Sequence, residues 1–403
     1  MSLTSATVVA AVALLAPLLA NVARLPAIVL QLLFGIAIGP QVLSFARADE
    51  PVSVLALIGL GFLLLLAGLE IDFARLRGPV LRTTSVAFAV STVLALGVGE
   101  GLASLNVVKS ATLIAVVLSA TSLGIVVPVL EDSGRAATEF GQIVIAAGSL
   151  AEVLPIVLLS LLFSRHSTGL GAQVVLFVAF TLFITAIGLT IARFEKWRRV
   201  SEALSRLQDT TAEIRVRGAF LLLMLCASLA TAFGLEAILG AFLAGATLKL
   251  IDRDATTTHP LLHTKLHAIG YGVFVPYFFT VTGMNLDVRA LLHESTLERV
   301  PIFLLAILLV RGLPAVLYRQ LVPDSRAVLA AGFLQATSLS IPIVAGQLGV
   351  DLGLLKPDNY VALVAAGLVS VIAFPLIAST LLSGSTTQTE AAAVASTSLT
   401  PTT

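Results

Sequence analysis

The chain is predicted to be an all-α polytopic membrane protein with about thirteen transmembrane helices, in two inverted repeats that each carry one discontinuous, crossing helix. Three observations predict it. Hydrophobic residues make up 58% of the 403, charged residues only 12%, and the mean hydropathy is +1.03, so lipid must be the solvent for most of the surface. Apolar runs of about 20 residues, the length needed to cross the hydrocarbon, recur along the chain. Finally, Leu118-Ser119-Ala120-Thr121-Ser122-Leu123 is echoed by Leu334-Gln335-Ala336-Thr337-Ser338-Leu339, each a polar interruption inside a hydrophobic run. Duplicated interruptions of this kind mark secondary transporters, where broken helices expose backbone carbonyls and hydroxyls near the bilayer midplane.

Charges, prolines and glycine clusters bound the candidate helices. The first covers 6–23 and lacks the basic start of a signal peptide, because no Lys or Arg precedes Arg24. The next six cover 25–44, 51–69, 83–104, 108–130, 138–163 and 170–193, and the seventh runs into a loop rich in Arg and Lys. Only Phe233-Gly234-Leu235-Glu236 separates the spans at 214–233 and 235–251. A hydrophilic connector with His259, His263 and His267 precedes 268–285, and the last three spans cover 299–320, 326–350 and 357–382. From residue 383 onward a Ser/Thr/Ala-rich tail is expected to be disordered and cytoplasmic.

The distribution of Lys and Arg orients the whole. Placing the loop after the seventh span in the cytoplasm puts 17 basic residues on that side and 6 on the other, with Arg311 inside a span. The N-terminus is then outside and the C-terminus inside. The repeat extends beyond the Ala-Thr-Ser motif: Gly68-Leu69-Glu70-Ile71-Asp72 matches Gly283-Met284-Asn285-Leu286-Asp287, and Ala146-Ala147-Gly148 matches Ala365-Ala366-Gly367. These matches pair the third span with the tenth, the fifth with the twelfth and the sixth with the thirteenth. A shift of seven helices is odd, so the halves are inverted. Repeat one covers 6–163, a linking helix and basic loop 170–213, and repeat two 214–382.

Symmetry also isolates what is not repeated. Glu152 lies mid-span, and the corresponding residue of the second half is Val371. A carboxylate at that depth costs roughly 2.5–3.5 kcal/mol on insertion scales and needs a partner, a cavity or a proton. Glu152 is therefore the candidate ligand for a proton or a monovalent metal cation. Pro155 has no N–H and frees the carbonyl of Ala151. Arg311 is the second unrepeated charge, and Glu152 is its expected salt-bridge partner. Ser119, Thr121 and Ser122 of the first interruption are expected to help bind the ion, and Gln335, Thr337 and Ser338 supply polar groups from the second. Cys226 reads as a small buried hydrophobe. No catalytic constellation, cofactor motif or structural-metal spacing is present, so neither an enzyme nor a cofactor is expected. A net charge of +1 speaks against nucleic acid as a partner.

Four further stretches carry a resemblance: Leu33-Phe34-Gly35-Ile36-Ala37-Ile38-Gly39-Pro40, Leu66-Ala67-Gly68-Leu69-Glu70, Leu239-Gly240-Ala241-Phe242-Leu243-Ala244-Gly245, and Pro276-Tyr277-Phe278-Phe279-Thr280-Val281-Thr282-Gly283-Met284. In this order they resemble the sodium/hydrogen exchanger superfamily, specifically its bacterial cation:proton antiporter branch, similar to the membrane domain of potassium efflux antiporters. The resemblance implies a homodimer with a core domain moving against a dimerisation domain. It also places the essential carboxylate on Glu152, with Ala151 where the family carries a second polar or acidic residue, and identifies Arg311 with the family's late-span basic residue. The expected activity is exchange of Na+ or K+ for H+ across the plasma membrane by alternating access. A single carboxylate that holds either ion, never both, makes that exchange electroneutral. The rival readings are a cation channel or uniporter, and a membrane ion sensor without turnover.

Overall fold

The computed structural model describes residues 4–23, 25–70, 78–133, 135–136, 138–163, 170–195, 213–251, 261–322 and 324–397. The basic cluster Lys196, Arg198, Arg199 and Arg206, together with Asp72 and His259, lies outside the described residues. Among those described there are helices and no strands. In chain order they are α1 (Thr4–Ala23), α2 (Ala27–Ile38), α3 (Glu50–Glu70), α4 (Gly78–Ser104), α5 (Ala111–Leu118), α6 (Leu123–Asp132), α7 (Glu139–Leu162) and α8 (Leu170–Glu195). There follow α9 (Ile214–Ala232), α10 (Ala237–Ile251), α11 (Leu261–Ile269), α12 (Val275–Asn285), α13 (Arg299–Ile307), α14 (Ser325–Gln335), α15 (Ser340–Asp351) and α16 (Pro357–Thr397).

Each of the thirteen predicted spans coincides with one of these helices or with a run of them. A π turn, Gly270–Phe274, joins α11 to α12, and a second, Leu308–Gly312, joins α13 to a 3-10 helix at Leu313–Gln320. The fifth and twelfth spans are each split in two at the duplicated motif. At 1.5 Å per residue, α5 and α6 are only about 12 and 15 Å long, so each half reaches only part of the way through the bilayer. Several boundaries differ from expectation: the fourth span begins at Gly78 and the tenth at Leu261, which puts His263 and His267 in a helix. The second span stops at Ile38, because Gly39-Pro40 turns the chain and Ser44 adopts a left-handed φ of 55°. The last helix continues to Thr397, past residue 383, where the Ala391-Ala392-Ala393 run has high helix propensity.

Packing divides the chain into two compact units that cut across the repeats: 1–71 with 156–286, and 72–155 with 287–403. The first unit thus takes the first to third spans with the seventh to tenth and the end of the sixth, and the second unit the fourth and fifth and the sixth as far as Pro155, with the eleventh to thirteenth.

In the first unit, α3 packs on α10 and α2 on α12. Glycines set these contacts. A Cβ on Gly68 would overlap the Phe242 carbonyl, one on Gly245 the Leu65 carbonyl, one on Gly35 the Thr280 carbonyl, and one on Gly283 the Leu32 carbonyl. Small residues let backbones approach where lipid supplies no hydrophobic drive between helices. In the second unit, α16 packs against α13, α14 and α15, and α4 packs against α5 and the 3-10 helix. An apolar cluster including Leu130, Ile143, Leu334 and Leu382 ties α6, α7, α14 and α16 together.

Candidate ion site at two interrupted helices

Both interruptions have the same build. Ser119 ends α5 with its backbone N–H on the Ala115 carbonyl, and residues 120–122 are non-helical before α6 begins. Ala336 ends α14 in the same way, and residues 337–339 are non-helical before α15 begins. The two non-helical stretches bond to each other: the Ser122 N–H donates to the Thr337 carbonyl at 2.8 Å. The Ser122 hydroxyl accepts the N–H groups of Leu339 (2.9 Å) and Ser340 (3.3 Å), so a side chain of one repeat caps the half-helix of the other.

Each interruption also bonds to the next span through a backbone N–H, one residue out of register between the two repeats. The Thr121 N–H donates to the Ala151 carbonyl of α7 at 3.2 Å, which is the carbonyl that Pro155 leaves without its helical donor. The Ser338 N–H donates to the Ser370 hydroxyl of α16 at 3.2 Å, and Ser370 is the counterpart of Ala151. Glu152, half-buried, is therefore one residue from a direct backbone bond to the first interruption.

Arg311 knots the site. It is 3% exposed and sits in the π turn Leu308–Gly312. Its Nε donates to the Thr121 hydroxyl (2.9 Å), one terminal nitrogen to the Ser91 hydroxyl of α4 (3.2 Å), and the other to Gln335 Oε1. Every acceptor is itself directed. Thr121 donates onward to the Gln335 carbonyl, Ser91 to the Val310 carbonyl (2.7 Å), and the Gln335 amide to the Val144 carbonyl of α7 (2.8 Å). Val310 is four residues before Pro314, so this carbonyl too lacks its ordinary donor. The Phe88 ring faces the guanidinium at 5.8 Å.

This corrects the expected ion pair: among the described residues the partners of Arg311 are neutral, and Glu152 is not one of them. The physical reason lies in the helix ends. Gln335 is the last residue of α14 and Thr121 lies just beyond α5, so the cation faces the partial negative charge of two C-termini.

Of the residues singled out in sequence, Thr121, Gln335 and Arg311 thus form one bonded cluster, and Ser122, next to Thr121 in the chain, bonds the Thr337 carbonyl, while the Ser338 backbone pairs with Ser370. The hydroxyls of Ser119 and Thr337 instead bond their own helices, at Val116 (2.8 Å) and Phe333 (3.2 Å). Ser338 Oγ stands out: the residue is 1% exposed, and among the described residues this oxygen has no hydrogen-bond partner. Ser91 and Ser370 escaped the sequence reading. A signal existed for Ser91, which interrupts the buried stripe Thr84, Ala87, Phe88, Ala95 of α4 at helical spacing.

Two interrupted helices crossing within a polytopic bundle, with a knotted buried cation and a neighbouring carboxylate, define an inverted-repeat ion transporter. The profile of the sodium/hydrogen exchanger transmembrane family matches residues 10–384, and the chain belongs to that family. It is a transporter and not an enzyme. YjbQ of Bacillus subtilis is 28% identical over 393 residues, which cover 93% of this chain, and the chain spans 62% of that relative's length. GerN of Bacillus cereus, a Na+/H+-K+ antiporter, is 27% identical over 367 residues, covering 87% of this chain and 88% of GerN. The solved structure of the sodium proton antiporter MjNhaP1 from Methanocaldococcus jannaschii superposes with a TM-score of 0.68 at 18% identity, over 94% of this chain and 97% of the other, and shares the fold.

Proposed function

We propose that the protein exchanges a monovalent cation, Na+ or K+, for H+ across the plasma membrane by alternating access, with Glu152 carrying one or the other. The observation that carries this reading is the backbone bond from Thr121 to the Ala151 carbonyl. It ties the backbone next to Glu152 to the first interruption, whose hydroxyls and carbonyls are candidates to complete a cation's shell. Ser338 Oγ, buried and without a hydrogen-bond partner among the described residues, is a neutral oxygen available to such an ion.

Proton and cation compete for one carboxylate, so the loaded site is neutral with either, while the bare charge is costly to carry across the barrier. That rule alone couples the two fluxes. Arg311 keeps its charge and spends its donors on the cradle, so it positions Thr121 and Gln335 and carries no proton itself. One exchangeable charge per cycle gives electroneutral, one-for-one exchange. The names of relatives such as GerN support both Na+ and K+ as candidate cations. The reading includes a homodimer, with the N-terminus outside and the C-terminus cytoplasmic.

The test uses reconstituted protein with an internal pH dye and pulses of Na+, K+ or Li+. Wild type is expected to move protons against at least one cation, and Glu152→Gln to move none. Equal proton movement in the variant removes Glu152 from the mechanism. Tracer cation uptake without proton movement in wild type replaces exchange with a channel.

A further inference from the structure

The N-terminal turns of α4 and the 3-10 helix Leu313–Gln320 enclose an open cleft of about 690 Å³ within the second unit. Its lining mixes polar and apolar groups: Arg82, Thr83 and Gln320 supply the polar ones, Val86 and Leu317 lie a turn further along the two helices, and Gly78, Pro79 and Leu321 complete the apolar wall. The two helices run in opposite senses here, so the polar groups near the start of α4 meet the end of the 3-10 helix.

The polar groups are uncommitted. Among the described residues, the side chains of Arg82, Thr83 and Gln320 make no hydrogen bond or ion pair, and no acidic residue lines the cleft. A guanidinium, a hydroxyl and a carboxamide offer a fork of donors suited to a phosphate. The volume lies within the range of small-molecule pockets. An inorganic anion would leave the apolar wall unused, whereas a phospholipid fills both ends: phosphate at Arg82, glycerol and first methylenes along Val86, Leu317 and Leu321.

We propose that this cleft binds the headgroup and upper acyl chain of an anionic phospholipid. The site has a mechanical consequence. Ser91 lies nine residues along α4 from Arg82, and Arg311 lies in the turn immediately before the 3-10 helix. A lipid bridging these two elements clamps the pieces that supply Ser91 and Arg311 to the knot between the crossing helices.

The experiment is native mass spectrometry of the purified full chain with phosphatidylglycerol or phosphatidylcholine, beside thermal melting with each lipid and with inorganic phosphate. Wild type is expected to retain phosphatidylglycerol in preference and to melt higher with it. Arg82→Gln weakens that preference about fivefold, the scale of one basic residue at an anionic surface. Arg82→Lys keeps the preference in part. Val86→Trp, which fills the apolar wall and leaves the charge, lowers retention of phosphatidylglycerol. Retention unchanged in both Arg82→Gln and Val86→Trp overturns the site, and an equal melting shift from inorganic phosphate makes it a free-anion site instead.

Discussion

The guanidinium of Arg311 is held by Ser91, Thr121 and Gln335 and faces the Phe88 ring. Each hydrogen bond from a charged donor contributes about 1.5–3 kcal/mol, and each buried acceptor left without its donor costs a further 1–3. Arg311→Ala strands Gln335 Oε1 and the Thr121 and Ser91 oxygens together. It is expected to destabilise the protein by roughly 3 kcal/mol or more, read as a fall in melting temperature. Arg311→Lys keeps the charge but replaces a planar fork with a point donor, and is expected to recover only part of the loss. Glu152→Gln is predicted to abolish exchange while leaving the Arg311 knot intact, because the knot uses none of its oxygens. A large drop in melting on Glu152→Gln would instead make that carboxylate a structural group.

At the scale of elements, prolines and glycines do different work. Pro155 and Pro314 each withhold an N–H, and the two freed carbonyls, Ala151 and Val310, take donors from another helix. Pro155→Ala returns a competing donor to Ala151, so amide exchange at Thr121 is expected to speed up relative to wild type. Unchanged exchange there means the freed carbonyl is incidental to the interruption. Glycines in the first unit set helix separation. Gly245→Ala pushes a Cβ into the Leu65 carbonyl and is expected to cost about 1–3 kcal/mol or more by overpacking. Gly97→Ala, with nothing within 4 Å of the new methyl, is the control and is expected to change melting little.

Much of this was legible in the residues, for identifiable reasons. Hydropathy located all thirteen spans, and the Ala-Thr-Ser duplication marked both interruptions, because polar residues at mid-membrane depth have few other uses. The pairing of Gly35 with Thr280 and of Gly68 with Phe242 was not legible. Motifs such as Leu33–Pro40 and Leu239–Gly245 showed a family likeness, but which backbone each glycine approaches depends on tertiary packing. Arg311 was legible as a buried cation, whereas its neutral partners were not. Expecting a carboxylate overlooked the helix C-termini that the interruptions themselves create.

On the scale of the whole molecule, the two repeats and the two packing units are different divisions of one chain. Each unit draws spans from both halves, so the site assembles from the fourth to sixth and eleventh to thirteenth spans. Near-symmetry builds the scaffold: Thr121 leans on Ala151 as Ser338 leans on Ser370. In the proposed mechanism the departures from symmetry carry the chemistry, with Glu152 opposite Val371 and Arg311 opposite Ala95. One exchangeable charge per cycle predicts a transport rate insensitive to an imposed membrane potential. A rate that follows voltage in liposomes lacking other ion pathways means unequal charge per cycle.

The proposed sharing of Glu152 by proton and cation is tested most directly by the apparent cation affinity of reconstituted protein as a function of pH. Competition for one carboxylate predicts that affinity weakens about tenfold per pH unit once the proton dominates, with maximal rate unchanged at saturating cation. The same dependence must disappear with Glu152→Gln, together with exchange. Cation affinity independent of pH over the range in which exchange occurs would contradict the account.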